Sequence, residues 1–116
     1  MTKKFEYLWK NTVSAIVEYN MKTREVSVTN FTDDNIKRPF GVKTSPTFKD
    51  LERFFESRCF PKERGNCKQL LDDLGLNCYN PFDIVRITHG RQYEDYAWIR
   101  FEGEQLDYER DIKLRD

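Results

Sequence analysis

Apolar and polar residues alternate through the first third of the chain. In "TVSAIVEYN", residues 12–20, period-two spacing sets Val13, Ala15, Val17 and Tyr19 on one side, which predicts a strand. After the polar "NMKT", the stretch "REVSVTNF" alternates again through Val26 and Val28. Two such runs joined by about four residues predict a hairpin. Residues 32–46 then carry Asp33, Asp34, Asn35, Pro39, Gly41, Ser45 and Pro46, the composition of a long surface connection.

The period changes at Thr47. In "TFKDLERFFESRCF" the apolar face is Phe48, Leu51 and Phe55 with Phe54 beside it, and Thr47 with Asp50 three residues on forms a capping box. Pro61 removes a donor and turns Phe60 from helical dihedrals, so this helix is expected to end near Arg58. A second helix is predicted from Asn66 as cap, with Cys67, Leu70, Leu71 and Leu74 as a buried stripe. Gly75 and Leu76 supply its Schellman end. A third helix starts at Asn80–Pro81, carries Phe82, Ile84, Val85 and Ile87, and closes at Gly90. "YAWIRF", residues 96–101, alternates Ala97, Ile99 and Phe101 against Tyr96, Trp98 and Arg100, which predicts a strand with an apolar inner face. "KKFEYLWK" near the start reads as a short helical turn or an edge strand, and "GEQLDYERDIKLRD" as a short helix or a frayed end.

These elements predict an α+β fold: a small antiparallel sheet, made of the N-terminal hairpin and a C-terminal strand, packed on one side by three short helices. Residues 1–116 have the length of one domain, and nine Phe, six Tyr and two Trp supply the material of a core. No apolar run is long enough to cross a bilayer, so no membrane partner is expected. "MTKKFEYLWKNTV" lacks the apolar region and cleavage site of a secretory signal, which gives a cytoplasmic expectation.

Twenty basic and twenty acidic residues cancel, against the broad positive field of a non-specific nucleic-acid binder. The charge is unevenly spread, with residues 92–116 rich in Asp and Glu. Cys59, Cys67 and Cys78 are three in number and are expected as free thiols. Together with His89 they lack the close pairing of a zinc module, so neither a metal nor another cofactor is expected. His89 is the single histidine, and without an identifiable nucleophile it reads as a cation in the last turn of a helix rather than a base. No catalytic constellation stands out, and the chain is expected not to be an enzyme.

The basic turn "ESRCFPKERGN" is the main candidate site. Arg58, Lys62, Arg64 and Lys68 have Glu63 as their near counter-charge and could clamp phosphate or carboxylate oxygens. The favoured reading is structural, with Arg58 and Arg64 pairing Asp95, Glu94 or nearby carbonyls and tying the turn to the strand of Trp98. Tyr96 and Trp98, on the outward side of that strand, are candidate anchors for a partner, burial under Phe5 and Trp9 being the alternative.

"LERFFESRCFPKERGNCKQLLDDLGL" followed by "IVRITHGRQYEDYAWIRF" resembles a segment accompanying HipA-like serine/threonine kinases of Gram-positive bacteria. In that segment an R-x-x-P-x-x-R turn precedes a leucine-rich helix and an S-x-x-D-x-Y-W-I strand. The matching residues are Arg58, Pro61, Arg64, Leu71, Leu74, Asp95, Trp98 and Ile99. The kinase's phosphate loop, paired lysine and catalytic Asp/Asn signature are absent, and Gln92 and Tyr93 replace small residues of the pattern. The segment is also similar to small proteins of phages and mobile elements. The resemblance implies a non-enzymatic protein-binding module that docks on a host or toxin protein and regulates or inhibits it, anti-defence and anti-CRISPR inhibitors included. The alternative is a nucleic-acid-binding accessory protein using residues 58–68 with Lys37, Arg38 and Lys43. An exposed edge strand would offer a route to self-association.

Overall fold

The computed structural model describes residues 2–63, 65–92 and 95–113. Strands β1 (Thr2–Trp9), β2 (Thr12–Asn20), β3 (Val26–Asn30) and β4 (Ala97–Phe101) form one antiparallel sheet in the order β3-β2-β1-β4. Helices α1 (Phe48–Ser57), α2 (Cys67–Asp73) and α3 (Pro81–Thr88) lie between β3 and β4 in the chain. The fold is α+β, as the hydrophobic pattern predicts.

The N-terminal segment is neither a helical turn nor an edge. β1 is a central strand, paired to β2 on one side and β4 on the other. Its side chains explain this, because Phe5 and Tyr7 are buried on the helix side while Leu8 is buried on the opposite face. A strand needed on both faces stabilises most when it is also flanked on both edges.

The β1–β2 register slips after Tyr7. Tyr7 faces Ala15 but Leu8 faces Val13, so Ser14 is an extra residue in β2. Ala15, Val17 and Tyr19 therefore face α1 and α3, whereas Val13, expected with them, packs with Leu8 and Trp98 on the other face. Ser14 keeps its carbonyl bonded to the Phe31 N–H at 2.8 Å.

On the helix side, Phe48, Leu51, Phe54 and Phe55 of α1 and Val85 of α3 meet Phe5, Tyr7, Val17, Tyr19, Ile99 and Phe101. The rings pack edge-on and tilted, as between Phe55 and Phe82 at 4.9 Å and Tyr7 and Phe54 at 5.1 Å. Both arms of the Thr47–Asp50 capping box are present. Asn80 Oδ1 accepts from the Phe82 N–H with Pro81 in the first turn. The Leu76 N–H donates to Leu71 and the Gly75 N–H to Asp72, the paired bonds of a Schellman end. Asn66, however, makes no side-chain cap, and of the predicted α2 stripe Leu71 alone is buried. α2 is a surface helix with one anchored residue.

α3 closes one residue earlier than Gly90. His89 takes the left-handed conformation (φ 60°), which turns its carbonyl outward to accept the Ile99 N–H at 2.8 Å. Gly90 follows at φ 64° and lies close against its neighbours, for a Cβ there would sit 3.1 Å from Ile99 Cδ1 and 3.2 Å from Arg58 Cβ.

The C-terminal segment is a third covering layer rather than a frayed end. A π-type turn, Tyr108–Ile112, buries Tyr108 and Ile112 with Leu8 and Trp98 on the sheet face opposite the helices. Asn11 Oδ1 accepts the Tyr108 N–H at 2.9 Å, and Arg100 donates to the Leu106 carbonyl at 3.1 Å while pairing with Glu6. Gly90→Ala should cost about 2–3 kcal/mol, from strain and overpacking together. Gly75→Ala, at φ 75° but facing open space, should cost about 1 kcal/mol. Urea unfolding of the two variants checks this order.

Candidate functional site

The basic turn follows from the end of α1. Pro61 stops the helix, and Arg58 at its C-cap turns inward, leaving only 8% of the residue exposed. Nε donates to the Gly90 carbonyl at 2.8 Å, Nη1 and Nη2 hold Asp95 in a fork at 2.8 and 3.0 Å, and Nη2 also donates to the Ala97 carbonyl at 2.9 Å. Asp95 Oδ1 accepts the Ala97 N–H at 3.1 Å. A single guanidinium thus joins the end of α1, the turn after α3 and the start of β4. Gln92 adds a bond from Nε2 to the Ser57 carbonyl at 2.8 Å.

Arg58 is consequently no surface contact, and its candidacy for partner binding is corrected. The carbonyls it serves lie inside, and its five donors suit them better than water would. Trp98 is corrected for a similar reason. It does point away from the helices, but Tyr108 and Ile112 cover it completely (0% exposed), and its indole N–H donates to the Lys10 carbonyl at 2.5 Å. Neither Phe5 nor Trp9 supplies that cover. Tyr96 stays partly exposed, with the Lys10 ammonium 4.6 Å from its ring centre and Trp9 against its edge. Lys62 and Lys68 are exposed. Arg64 and Glu94, the other proposed members of this tie, and Tyr93 beside them lie outside the described residues.

Burial pushes the Asp95 carboxyl upward, but the hydrogen bonds and charge of Arg58 overcome this and hold it below the usual 3.8. Burial pushes the Cys59 thiol up to about 12. Its sulfur donates to the Phe55 carbonyl at 3.1 Å and also approaches that of Pro81. Cys59 lines an open hollow of about 630 Å³ with Arg53, Glu56, Lys62, Glu63 and Tyr79, a wall of mixed charge. His89 bonds Glu104 at 2.9 Å, while the other oxygen of Glu104 accepts the Phe101 N–H at 2.7 Å. Cys59 lies by the first residue of α3 and His89 just past the last, so the two sit by opposite ends of α3. Among the described residues, no group of three or more His, Cys, Asp or Glu could hold a metal ion, and no helix is long and apolar enough to cross a membrane.

The most exposed apolar side chains among the described residues lie elsewhere, in the connection after β3. Phe31, Ile36 and Val42 are 58%, 81% and 75% exposed, yet the loop carrying them is braced. Asp34 caps the Ile36 N–H, Arg38 Nε donates to the Thr32 carbonyl at 2.6 Å, Lys43 pairs Asp50 at 2.9 Å, and Phe40 packs on Phe54. The Thr47 N–H, then Lys43, hold the Asp50 carboxyl down at about 2. The cations of this loop are also engaged, with Arg38 near Asp33 and Lys37 5.1 Å above the Trp9 ring. Sequence reading marked the loop as a surface connection but not its apolar tips, because single apolar residues among turn formers carry no periodicity.

No family model, no curated protein and no solved structure matches the chain.

Arg58→Ala should cost about 3–5 kcal/mol, since it strands Asp95 and two carbonyls. A double-mutant cycle with Asp95→Ala should return a coupling of about 1–3 kcal/mol in unfolding free energy. Because the folded Asp95 pKa is depressed, its contribution is complete above the ordinary carboxylate value and is lost as pH falls through the folded one. The stability gap between wild type and Asp95→Asn should therefore narrow below about pH 4. Alkylation of native protein at pH 8 should label exposed Cys78, with Cys59 reacting only on unfolding.

Proposed function

We propose that this protein is a non-enzymatic docking module that regulates or inhibits a target protein, and that Ile36 and Val42 are its contact residues. The observation carrying the reading is the pairing of a braced loop with bare apolar tips. Thr32, Asp34, Arg38, Lys43 and Asp50 hold the backbone in one arrangement, so ordering entropy is already met before a partner arrives. Ile36 and Val42 are the two most exposed large apolar side chains among the described residues. Since the neighbouring cations are engaged within the chain, the target site should be an apolar recess in a folded protein rather than an acidic surface. The resemblance to phage and mobile-element proteins supports a host or toxin protein as the target.

The chemistry of the other candidates supports the same reading. Cys59 is held as a thiol, and His89 is engaged with Glu104 at the far end of α3. Nucleic-acid binding through the basic turn loses Arg58 to the interior and Lys37, Arg38 and Lys43 to intramolecular partners.

The test compares wild type with Ile36→Asp/Val42→Asp, a pair of exposed changes that should leave the melting temperature unchanged. A partner co-purified from the native host and then produced pure should bind wild type in calorimetry and bind the variant at least tenfold more weakly. Equal binding by both proteins would refute the loop as the contact. DNA binding at about 50 mM salt that falls steeply as salt rises would favour the nucleic-acid reading instead.

A further inference from the structure

The two edges of the sheet are finished differently. In β4 the Lys10 N–H bonds Tyr96 and the Glu102 N–H bonds Lys4, so Ala97, Ile99 and Phe101 turn their backbone groups away from β1. Those groups are met on the spot: Ala97 by Arg58 and Asp95, the Ile99 N–H by the His89 carbonyl, and Phe101 by Glu104 at both its N–H and C=O. This edge is closed to another strand.

β3 has the opposite character. The Phe31 N–H bonds Ser14 and the Asn20 N–H bonds Glu25, which fixes Ile16/Thr29 and Glu18/Ser27 as the hydrogen-bonded pairs. Val26, Val28 and Asn30 therefore direct their N–H and C=O groups outward, where no described residue bonds them. "VSVTN" has no proline, no charge and no bulge, the usual guards of an exposed edge.

We infer that β3 pairs antiparallel with β3 of a second copy about a two-fold axis at Val28, joining two sheets into one of eight strands. The sequence is self-complementary in that register. Val28 faces Val28 of the copy and Val26 faces Asn30, each as a hydrogen-bonded pair, so the outward backbone groups are matched. Ser27 falls opposite Thr29, a favourable cross-strand pair. Val26 and Val28, half-buried at the margin of the helix-side core, gain the copy's valines as cover. Exposed Phe31 comes alongside Glu25 of the copy.

Charge also selects this arrangement. The turn before β3 carries Lys22 and Arg24, and the segment after it carries Asp33 and Asp34. Antiparallel pairing brings the basic end of each strand to the acidic end of the other, whereas a parallel alignment would set like against like. Asp33, 3.5 Å from Arg38, and Arg24, 3.7 Å from Glu52, keep exposed side chains in these loose pairs, so both can turn toward the copy. Ile36 and Val42 are not part of the pairing, and a dimer would display two copies of the docking loop.

The experiment measures mass and amide exchange on the whole chain. Light scattering at increasing concentration should pass from 14.0 kDa to twice that mass, and the dimer's dissociation constant should rise severalfold from 50 to 500 mM salt. In the dimer the Val26, Val28 and Asn30 amides should exchange as slowly as those of Ser27 and Thr29. Val28→Pro removes an outward donor along with a side chain at the core margin, and should give a folded monomer. Wild type that stays at 14.0 kDa to millimolar concentration with those three amides exchanging fast would overturn the inference, and so would a dimer that survives Val28→Pro. Either outcome leaves the docking loop to be judged by its own variants.

Discussion

The buried guanidinium of Arg58 is the constraint around which this fold is organised. A charged group inside a protein needs its donors met, and here four N–H groups go to the Gly90 carbonyl, both oxygens of Asp95 and the Ala97 carbonyl. Pro61 ends α1 beside it, and that requirement fixes how the chain leaves α3 and how β4 enters the sheet. The left-handed pair His89–Gly90 follows from it, since the Gly90 carbonyl must face Arg58 while the His89 carbonyl faces Ile99. A side chain at position 90 would collide with the aliphatic part of Arg58 itself. The ion pair and the turn are thus one device.

The sequence disclosed the local parts of this device more clearly than their assembly. Thr47 with Asp50, Asn80 with Pro81, and Gly75 with Leu76 are signals written within four residues, and each appears where the pattern puts it. Arg58 and Asp95 were named together because both recur in the pattern that the segment resembles. What the chain did not reveal is long-range. The extra residue at Ser14 moves Val13 to the other face without altering the alternation, since a bulge is set by the partner strand. The burial of Trp98 depends on residues 108 and 112, whose sparse apolar spacing resembles a frayed end until the π-type turn brings them together. β1 reads as a helical turn or an edge strand because Phe5, Leu8 and Trp9 fit one helical face while the aromatics also fit a strand, and centrality in a sheet is decided by which neighbours return to it.

That closure of one side shapes what the other can do. With β4 sealed by Arg58, His89 and Glu104, and the outer face of the sheet covered around Trp98, described backbone groups free for pairing collect on β3, with the exposed apolar side chains of the next loop beside them. The proposed strand pairing uses β3, and the proposed docking uses Ile36 and Val42, whose loop is anchored over Phe54 and Trp9.

Neutral net charge takes on a definite meaning in this setting. The twenty cations and twenty anions are not a uniform solvated coat. Arg58 with Asp95, Arg100 with Glu6 and Lys43 with Asp50 join segments distant in the chain or brace the loop that displays Ile36 and Val42. Charges used in this way contribute little long-range field, because each is compensated within about 3 Å and the remainder is screened beyond roughly 10 Å at ordinary salt. In the proposed docking, selectivity rests on the fixed positions of Ile36 and Val42, which the hydrogen bonds of Asp34 and Arg38 and the Lys43–Asp50 pair set in place.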